Sequence, residues 1–418
     1  MHRRTTGHAE RVQIIELHQQ GEGYHAIADE TGLNYYTVRK WIRRYKKEGW
    51  LGIDPKQTRQ QAKGALAYFD PLVKYVALRL KKANPGWGLD VLLLEMSRRE
   101  SLEGHKLPSR TALYNYLKPF LHRFRQQRQS RTIKPKPAVA ATKAVHQRWQ
   151  IDFKGEVQTA AAGWVLPLNV CDEHSSAPLA GIIYTAAGKQ PKKGLTTRDI
   201  QQALRELFTN WGRPEQLRMD RDSLWVGSTR LEWPGALLLW LVGLDITPVI
   251  NRPGRPTDNA QIERLNRTWL EQVGLGATTA SALEVQDRTD KAWRDRLFYL
   301  PSRNKHCQNQ PPATRFPELF ANPRPYSSEQ EGALFEMQRV YDYLAQWQWQ
   351  RKVDQVGCIS LNSYSRSVSR KHAGQVVKVR FDATQHHFIA SAIDGTELKR
   401  FTIPSICPDF IRGTGSWL

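Results

Sequence analysis

The chain has 418 residues, a formal net charge of +22 and a pI near 9.9. Its excess of Lys and Arg predicts a polyanionic partner, most commonly nucleic acid, although charge alone also fits an anionic membrane surface. No apolar run reaches the roughly 18 residues that span a bilayer, and no apolar segment follows the basic N-terminal residues, so we expect a soluble intracellular protein.

The N-terminal residues, up to about residue 52, read as three helices separated by Gly21 and Gly32. In the third helix, Val38, Trp41 and Ile42 belong to an apolar stripe at helical spacing, and basic residues cover the remaining faces. This arrangement resembles a helix-turn-helix, whose second paired helix enters the DNA major groove by its N-terminal end. The alternative is a three-helix bundle with a solvated basic face. The predicted DNA contacts are Asn34, Tyr35, Thr37, Arg39, Lys40, Arg43 and Arg44.

A second helical segment is predicted over residues 65–122. Asp70 followed by Pro71 is typical of a helix start, and Ser109 is predicted to begin a further recognition helix that includes Arg110. We therefore predict a second DNA-binding domain, which would let the chain read a longer site. The alternative is that this segment only packs against the first.

A basic linker is predicted over residues 123–145. No acidic residue occurs between Glu103 and Asp152, and the Pro and Ala content of this stretch disfavours a packed core. The linker is expected to lie along DNA phosphates, or to be merely solvated and flexible. Its predicted DNA contacts are Arg123, Arg125, Arg128 and Arg131.

The central part of the chain predicts an α/β domain with the order three strands, helix, strand, helix, strand, helix. Trp149, Ile151 and Phe153 alternate with polar residues, which places Asp152 on the opposite face of the first strand. Asp220 ends a later short strand. Glu263 lies on the polar side of the last helix, for which Asp258 or Thr257 is the predicted cap.

Asp152, Asp220 and Glu263 are predicted to converge at one edge of this sheet. Three neighbouring carboxylates repel one another, and a divalent cation would remove that repulsion. Two such ions, about 3.5 to 4 Å apart, support phosphoryl transfer. Any one of these acids could instead be structural or solvated, so the prediction depends on the three together.

The stretches WQIDFKG, LRMD and GRPTDNAQIERLNRTW resemble signatures of the DDE transposases of the retroviral-integrase superfamily, including bacterial insertion-sequence and Mu-like members. The resemblance implies an RNase H-like integrase catalytic core over residues 146–320. It also implies that Asp152, Asp220 and Glu263 bind two Mg²⁺ ions, with Mn²⁺ as a substitute, for DNA cleavage and strand transfer. Arg252 and Arg255 are expected to contact DNA. A homo-oligomer on paired DNA ends is expected, and a helper ATPase is possible.

The sequence departs from the family pattern after the second Asp. Arg221-Asp222 stands where Asn-Gly is usual, which leaves Asp222 as a rival to Asp220 for the second carboxylate. The interval to Glu263 is long, and an insertion around GSTRLEWPG explains it. Asp172, which matches an acid seen in relatives, is expected to be a structural turn residue.

The C-terminal part is predicted to form a helical connector over residues 321–352 and a small β-barrel over residues 353–410, similar to those of Mu-like transposases. Alternation in Val377, Val379 and Phe381 indicates a strand. Basic residues of the predicted barrel could contact DNA or another subunit. They are Arg366, Arg370, Lys371, Lys378 and Arg380.

These features together predict a multidomain DNA transposase, cytoplasmic, bacterial and associated with the nucleoid, that binds transposon ends and target DNA. One alternative is a DNA-binding regulator with an inactive transposase core. Another is a metal-dependent nuclease that only hydrolyses DNA, and strand-transfer products would separate it from a transposase.

Overall fold

The computed structural model describes residues 6–54, 64–121, 140–159, 163–185, 191–227, 233–252, 256–274, 280–362 and 364–415. The chain divides into two compact units, Met1–Lys134 and Pro135–Leu418. Within the described ranges, none of the helices has the length and apolar character that crossing a membrane would require. The predicted contacts Arg123, Arg125, Arg128, Arg131 and Arg255 lie outside these ranges.

The first unit is helical. The helix start predicted at Asp70 is confirmed, because Asp70 accepts the Leu72 N–H at 2.7 Å. Asn34 likewise caps its helix by accepting the Tyr36 N–H at 2.8 Å. The described helices of this unit are α1 (His8–Gln19), α2 (Tyr24–Thr31), α3 (Tyr35–Glu48), α4 (Pro71–Ala83), α5 (Leu89–Ser97) and α6 (Arg110–Leu121).

These helices share one hydrophobic core. Val38 of α3, Val73 of α4 and Leu113 of α6 are fully buried in the same cluster. Between the two predicted modules, the rings of Trp50 and Tyr75 lie 4.2 Å apart. The second helical segment therefore packs against the first, and the two fold as one compact unit.

The second unit begins with a mixed sheet. β1 pairs with β3 in antiparallel and with β5 in parallel orientation, β5 pairs in parallel with β6, and β2 and β4 pair with β3. The predicted order of strands and helices is confirmed, with a short strand and a short helix added. The strands are β1 (Arg148–Phe153), β2 (Val157–Thr159), β3 (Gly163–Asp172), β4 (Pro178–Thr185), β5 (Gln216–Met219) and β6 (Thr247–Ile250).

Helices cover both faces of this sheet. On one face, Phe208 lies 5.9 Å from the ring of Trp149 and 5.9 Å from that of Trp240. On the other, Cys171 of β3 packs in a cluster with Trp269. The helices of this unit include α7 (Thr197–Trp211), α8 (Ser223–Val226), α9 (Ala236–Gly243), α10 (Ala260–Gln272), α11 (Ala282–Phe298), α12 (Pro312–Arg315), α13 (Glu331–Leu334), α14 (Met337–Ala345) and α15 (Pro408–Arg412).

The C-terminal strands form a four-stranded antiparallel sheet, β12-β11-β10-β7, and a separate hairpin of β8 and β9. Among the described residues their pairing does not close the predicted barrel. The sheet also begins earlier than predicted, because β7 lies inside the expected helical connector. The strands are β7 (Gln348–Lys352), β8 (Cys358–Leu361), β9 (Tyr364–Ser367), β10 (Val376–Asp382), β11 (His387–Ser391) and β12 (Glu397–Phe401).

This sheet shares its core with the α/β region. Trp233, from the predicted insertion, stacks on Trp349 of β7 at 5.1 Å and lies 5.6 Å from Phe388 of β11. Along β7, buried Trp349 lies between exposed Gln348 and Gln350, which is the alternation of a strand rather than of a helix. All four cysteines are free.

A buried carboxylate joins α7, α13 and α15. Glu331 of α13 is only 1% exposed and accepts hydrogen bonds from Arg205 at 2.7 and 3.0 Å and from Arg412 at 3.0 Å. Tyr326 donates its hydroxyl proton to Glu331 at 2.5 Å. Burial opposes ionisation of Glu331, but these bonds outweigh it and lower its pKa.

Glu331→Gln is expected to lower the free energy of unfolding at pH 7 by about 3 to 5 kcal/mol, because it leaves the Arg205 guanidinium without its buried charge partner. Since the folded pKa lies below the unfolded one, the carboxylate stabilises the fold above the unfolded pKa and ceases to do so as pH falls. Urea titrations at pH 7 and pH 4 should therefore show a smaller difference between variant and wild type at pH 4. Glu329→Gln, at an exposed position two residues earlier, is the control and should cost less than about 0.5 kcal/mol. Equal losses in the two variants would contradict this account.

Candidate active site and DNA-binding face

Two of the predicted acids lie at neighbouring strand ends. Asp152 is on β1 and Asp220 directly follows β5. In the parallel register of these strands, Gln150 is opposite Arg218. Two residues further along in each strand direction, Asp152 and Asp220 lie side by side on the same face of the sheet.

The three predicted acids interact electrostatically. Burial, the charge of Asp220 and then the charge of Glu263 raise the pKa of Asp152 to about 7. Burial and the charge of Asp222 raise the pKa of Asp220, although Lys192 opposes this. Partial burial also raises the pKa of Glu263, with Arg267 opposing. The site therefore holds crowded carboxylates whose ionisation is disfavoured.

Asn266 is a further site residue to which the sequence analysis gave no role. Its side chain is buried and donates from Nδ2 to Asp152 Oδ2 at 2.9 Å. Its Oδ1 accepts from Asn169 at 2.8 Å, and Asn169 in turn accepts from the Trp293 indole at 3.3 Å. This chain of hydrogen bonds fixes the orientation of the Asp152 carboxylate. An amide three residues after Glu263, on the same helix side, was the available sequence signal.

Asp222 has a different environment from Asp220. It caps α8 by accepting the Leu224 N–H at 3.0 Å, and it forms an ion pair with Lys192. Burial raises the pKa of Asp222, but the bonds from Lys192 and Leu224 outweigh it and the pKa is lowered. Its own N–H donates to Asp220 at 3.0 Å. This geometry gives Asp222 a structural task and favours Asp220 as the neighbour of Asp152.

The helix that carries Glu263 begins differently from the prediction. Its N-cap is Asn259, which makes no side-chain capping bond, so the predicted cap at Asp258 or Thr257 is wrong. The carboxylate of Asp258 instead accepts two hydrogen bonds from Arg252, at 2.8 and 2.7 Å. Arg252, a predicted DNA contact, is thus engaged with Asp258, while Glu263 is exposed on α10.

Among the described residues, no three His, Cys, Asp or Glu side chains are arranged closely enough to hold a metal ion. The chemistry of the predicted donors does fit a divalent cation. All three are carboxylates, the hard oxygen ligands that Mg²⁺ and Mn²⁺ prefer. Burial raises the pKa of all three, and for Asp152 and Asp220 a neighbouring carboxylate adds a repulsion that a cation would remove.

Asp172 is a structural turn residue, as predicted. Its carboxylate is fully buried and accepts the N–H of His146 at 2.8 Å. It also accepts the N–H and the hydroxyl of Ser175, at 2.7 and 2.6 Å. These bonds close the turn after β3.

The predicted recognition helix α3 presents a basic face. Arg39, Lys40 and Arg43 are exposed, whereas Val38 and Ile42 are buried on the other side. This division matches the predicted apolar stripe and leaves three cations available to a polyanion.

Two aromatic residues at the start of α3 differ in exposure. Tyr35, a predicted contact, is half-buried and stacks on His25 at 4.5 Å, whereas Tyr36 is 73% exposed. The sequence analysis gave Tyr36 no role, because Tyr36 does not belong to the apolar stripe of α3. Thr37 is half-buried, and the side-chain Oδ1 of Asn34 accepts the Tyr36 N–H as the helix cap.

The remaining predicted contacts of the first unit have protein partners. Arg44 lies 3.6 Å from Glu48. Ser109 accepts the Ala112 N–H at 3.2 Å and so begins α6, as predicted. Arg110 pairs with Asp90 at 2.9 Å.

Comparison with known proteins places a family match in the first unit. Residues 10–60 match the model of a family described as a helix-turn-helix domain, which confirms that prediction and supports DNA binding. Among solved structures, one chain of a cryo-EM structure of the simian T-cell lymphotropic virus intasome in complex with PP2A regulatory subunit B56 gamma is 14% identical, with a TM-score of 0.34. That alignment covers 78% of this chain and 99% of the other. Similarity at this level says nothing about function, so the role of the second unit has to be inferred from its own residues.

Asp152→Asn is expected to stabilise the protein in a chelating buffer. The folded pKa of about 7 exceeds the ordinary value of 3.8, so the carboxylate destabilises the fold increasingly as pH rises from about 4 to 7. Chemical unfolding should show a larger gain at pH 8 than at pH 5, by about 1.4 kcal/mol for each pKa unit recovered. Asp287→Asn, at an exposed position on α11, is the control. A pH-independent effect of Asp152→Asn would contradict the crowding of these acids.

Arg43→Ala is expected to weaken binding to duplex DNA and to reduce the slope of log affinity against log salt concentration by about one, if Arg43 contacts a phosphate. Arg400→Ala is the matched control, because the Arg400 guanidinium already pairs with Glu397 and Arg400 is not a predicted DNA contact. Fluorescence anisotropy over a salt series measures both. An unchanged affinity and slope for Arg43→Ala, or equal effects of the two variants, would count against α3 as the DNA-binding helix.

Proposed function

We propose that this chain is a DNA transposase that binds element ends through its helix-turn-helix and cleaves and joins DNA at Asp152, Asp220 and Glu263. The observation that carries the proposal is the parallel pairing of β1 with β5, which sets Asp152 beside Asp220. The electrostatic influence of Glu263 on Asp152 supports the third position. The helix-turn-helix match and the +22 net charge support DNA as the substrate.

The proposal extends to the architecture. We take the mixed sheet with its covering helices as the RNase H-like core that the sequence resemblance implies, and the C-terminal sheet as a supporting element. A homo-oligomer on paired ends follows from the same resemblance. A helper ATPase is part of the proposal only as an optional partner.

The residues of the site would have separate roles in the reaction. Asp152, Asp220 and Glu263 would hold Mg²⁺, which when bound activates the attacking oxygen and stabilises the leaving oxygen in phosphoryl transfer. Asn266 keeps the Asp152 carboxylate oriented. The Asp222 N–H holds Asp220, and the capped start of α8 keeps that turn in place.

The proposed reaction has two displacements at phosphorus. Water first attacks the phosphodiester bond at the element end, and the bond to the leaving 3′ oxygen breaks to release a 3′ hydroxyl. That hydroxyl then attacks a target phosphodiester bond, loses its proton and displaces another 3′ oxygen. α3 would hold the element end during both steps through its basic face.

One alternative has specific support. A DNA-binding regulator with an inactive core is favoured by the helix-turn-helix match, which supports DNA binding and involves no catalysis. A nuclease that only hydrolyses DNA uses the same acids and differs in product. Both alternatives are distinguishable from a transposase by the joining reaction.

Joining of labelled DNA ends to a plasmid in Mg²⁺ is the test, with the DNA that flanks the gene of this protein as the donor. Asp220→Asn and Glu263→Gln are expected to reduce joining at least about 100-fold, since they remove carboxylates from the reacting centre. Asp222→Asn is the matched control, because Asn also caps helices well, and it should retain activity within about tenfold.

Each other outcome selects a different function. Cleavage without joining would indicate a hydrolytic nuclease. Tight binding of the donor DNA without cleavage, in either Mg²⁺ or Mn²⁺, would indicate the regulator or the need for a helper ATPase. A loss in Asp222→Asn as large as that in Asp220→Asn would contradict the assignment of Asp220.

A further inference from the structure

The first turn of α10 is capped from a neighbouring strand. Its N-cap residue, Asn259, makes no side-chain capping bond. The Ile262 N–H, one of the first-turn donors that need a partner outside the helix, donates to Gln150 Oε1 of β1 at 3.0 Å. Gln150 is 2% exposed and Ile262 is fully buried, so water does not compete for this bond.

Gln150 is itself held by a buried charged network. Its Nε2 donates to Glu173 Oε2 at 2.9 Å. Glu173 also accepts from Arg148 at 3.1 Å and pairs with Arg218 at 3.0 Å. These contacts fix the side chain of Gln150 through β1, β5 and the turn after β3.

The same network reaches the segment before α10 at a second point. Arg218, which is 3% exposed, donates to the Asp258 carbonyl oxygen at 3.0 Å. Arg218 is opposite Gln150 in the register of β1 and β5. The start of α10 is therefore attached to both strands that carry the acids.

The positions of these contacts along the chain relate them to the acids. Gln150 lies two residues before Asp152, on the same face of β1, and Ile262 directly precedes Glu263. One turn further along α10, Asn266 donates to Asp152. Glu263 thus lies between two hydrogen bonds that join α10 to β1.

We propose that Gln150 is a positioning residue, which supplies the missing cap of α10 and thereby sets the place of Glu263 relative to Asp152. The effect on Glu263 rests on the proposed function, whereas the capping of α10 does not. Glutamine suits this position because its amide oxygen accepts from the Ile262 N–H and its amide nitrogen donates to Glu173.

The first test measures amide hydrogen exchange in metal-free protein. Gln150→Met keeps an unbranched side chain of similar length but removes both hydrogen bonds. Exchange of the first-turn amides of α10 is expected to accelerate about tenfold or more, with β1 and β5 protected as in wild type. Unchanged protection of α10 would overturn the proposal.

The second test measures the increase in melting temperature that Mn²⁺ alone produces. Gln150→Met is expected to lose at least about half of the wild-type increase, and the double variant with Glu263→Gln should lose no more than Glu263→Gln alone if Gln150 acts through Glu263. Additive losses in the double variant would contradict that route.

A buried glutamine elsewhere provides the matched control. Gln201 of α7 is 1% exposed and donates to the Ile411 carbonyl at 2.8 Å, so Gln201→Met also removes a buried hydrogen bond. It is expected to lower the melting temperature while leaving α10 exchange and the Mn²⁺ response unchanged. The same changes in both variants would mean that Gln150 has only a general structural role.

Exchanging the amide and the carboxylate between positions 150 and 173 tests whether the cap of α10 can be restored. Gln150→Glu alone places two carboxylates together and removes the donor to Glu173, so it should impair α10. The Gln150→Glu/Glu173→Gln pair restores one donor and one acceptor between the two side chains and should recover at least half of the lost exchange protection. No recovery would contradict the capping role.

The two proposals fail in different ways. A wild-type protein that shows neither a Mn²⁺ response nor DNA joining would overturn the proposed function. Its α10 exchange data would still decide whether Gln150 caps the helix.

Discussion

The parallel pairing of β1 with β5 is the constraint on which the rest of the site depends. Neighbouring parallel strands bring their carboxyl ends to one edge of a sheet, and here each strand reaches that edge with an aspartate. The resulting proximity of Asp152 and Asp220 disfavours their ionisation, as does their burial. Folding therefore brings together two carboxylates whose mutual repulsion a cation would relieve.

The surroundings hold this unfavourable arrangement in place. Asn266 donates to Asp152 directly, and the buried Glu173 network fixes Gln150 and Arg218, which lie two residues before Asp152 and Asp220. α10 is attached at its start and one turn later, so the element that carries Glu263 is more constrained than the exposed glutamate itself. Such a supporting set of hydrogen bonds is what precise placement of reacting groups requires.

Elements with strong local patterns were predictable from the sequence. The alternation of Val377, Val379 and Phe381 correctly indicated β10, and the stripe of α3 gave its buried side. Contacts between distant segments were not predictable, because the pairing of Gln150 with Ile262 or of Asn266 with Asp152 depends on the folded sheet. The predicted cap of α10 was wrong because the carboxylate of Asp258 accepts from Arg252 instead. β7 was missed because Trp349 packs against Trp233, which is distant from it in the sequence.

The most direct test of this account is the number of Mn²⁺ ions bound by the protein on donor DNA, measured by electron paramagnetic resonance. The account predicts about two ions per active site in wild type, fewer in Glu263→Gln, and none in the Asp152→Asn/Asp220→Asn double variant. Wild-type binding no greater than that of the double variant would contradict the assignment of these acids to a metal-dependent active site.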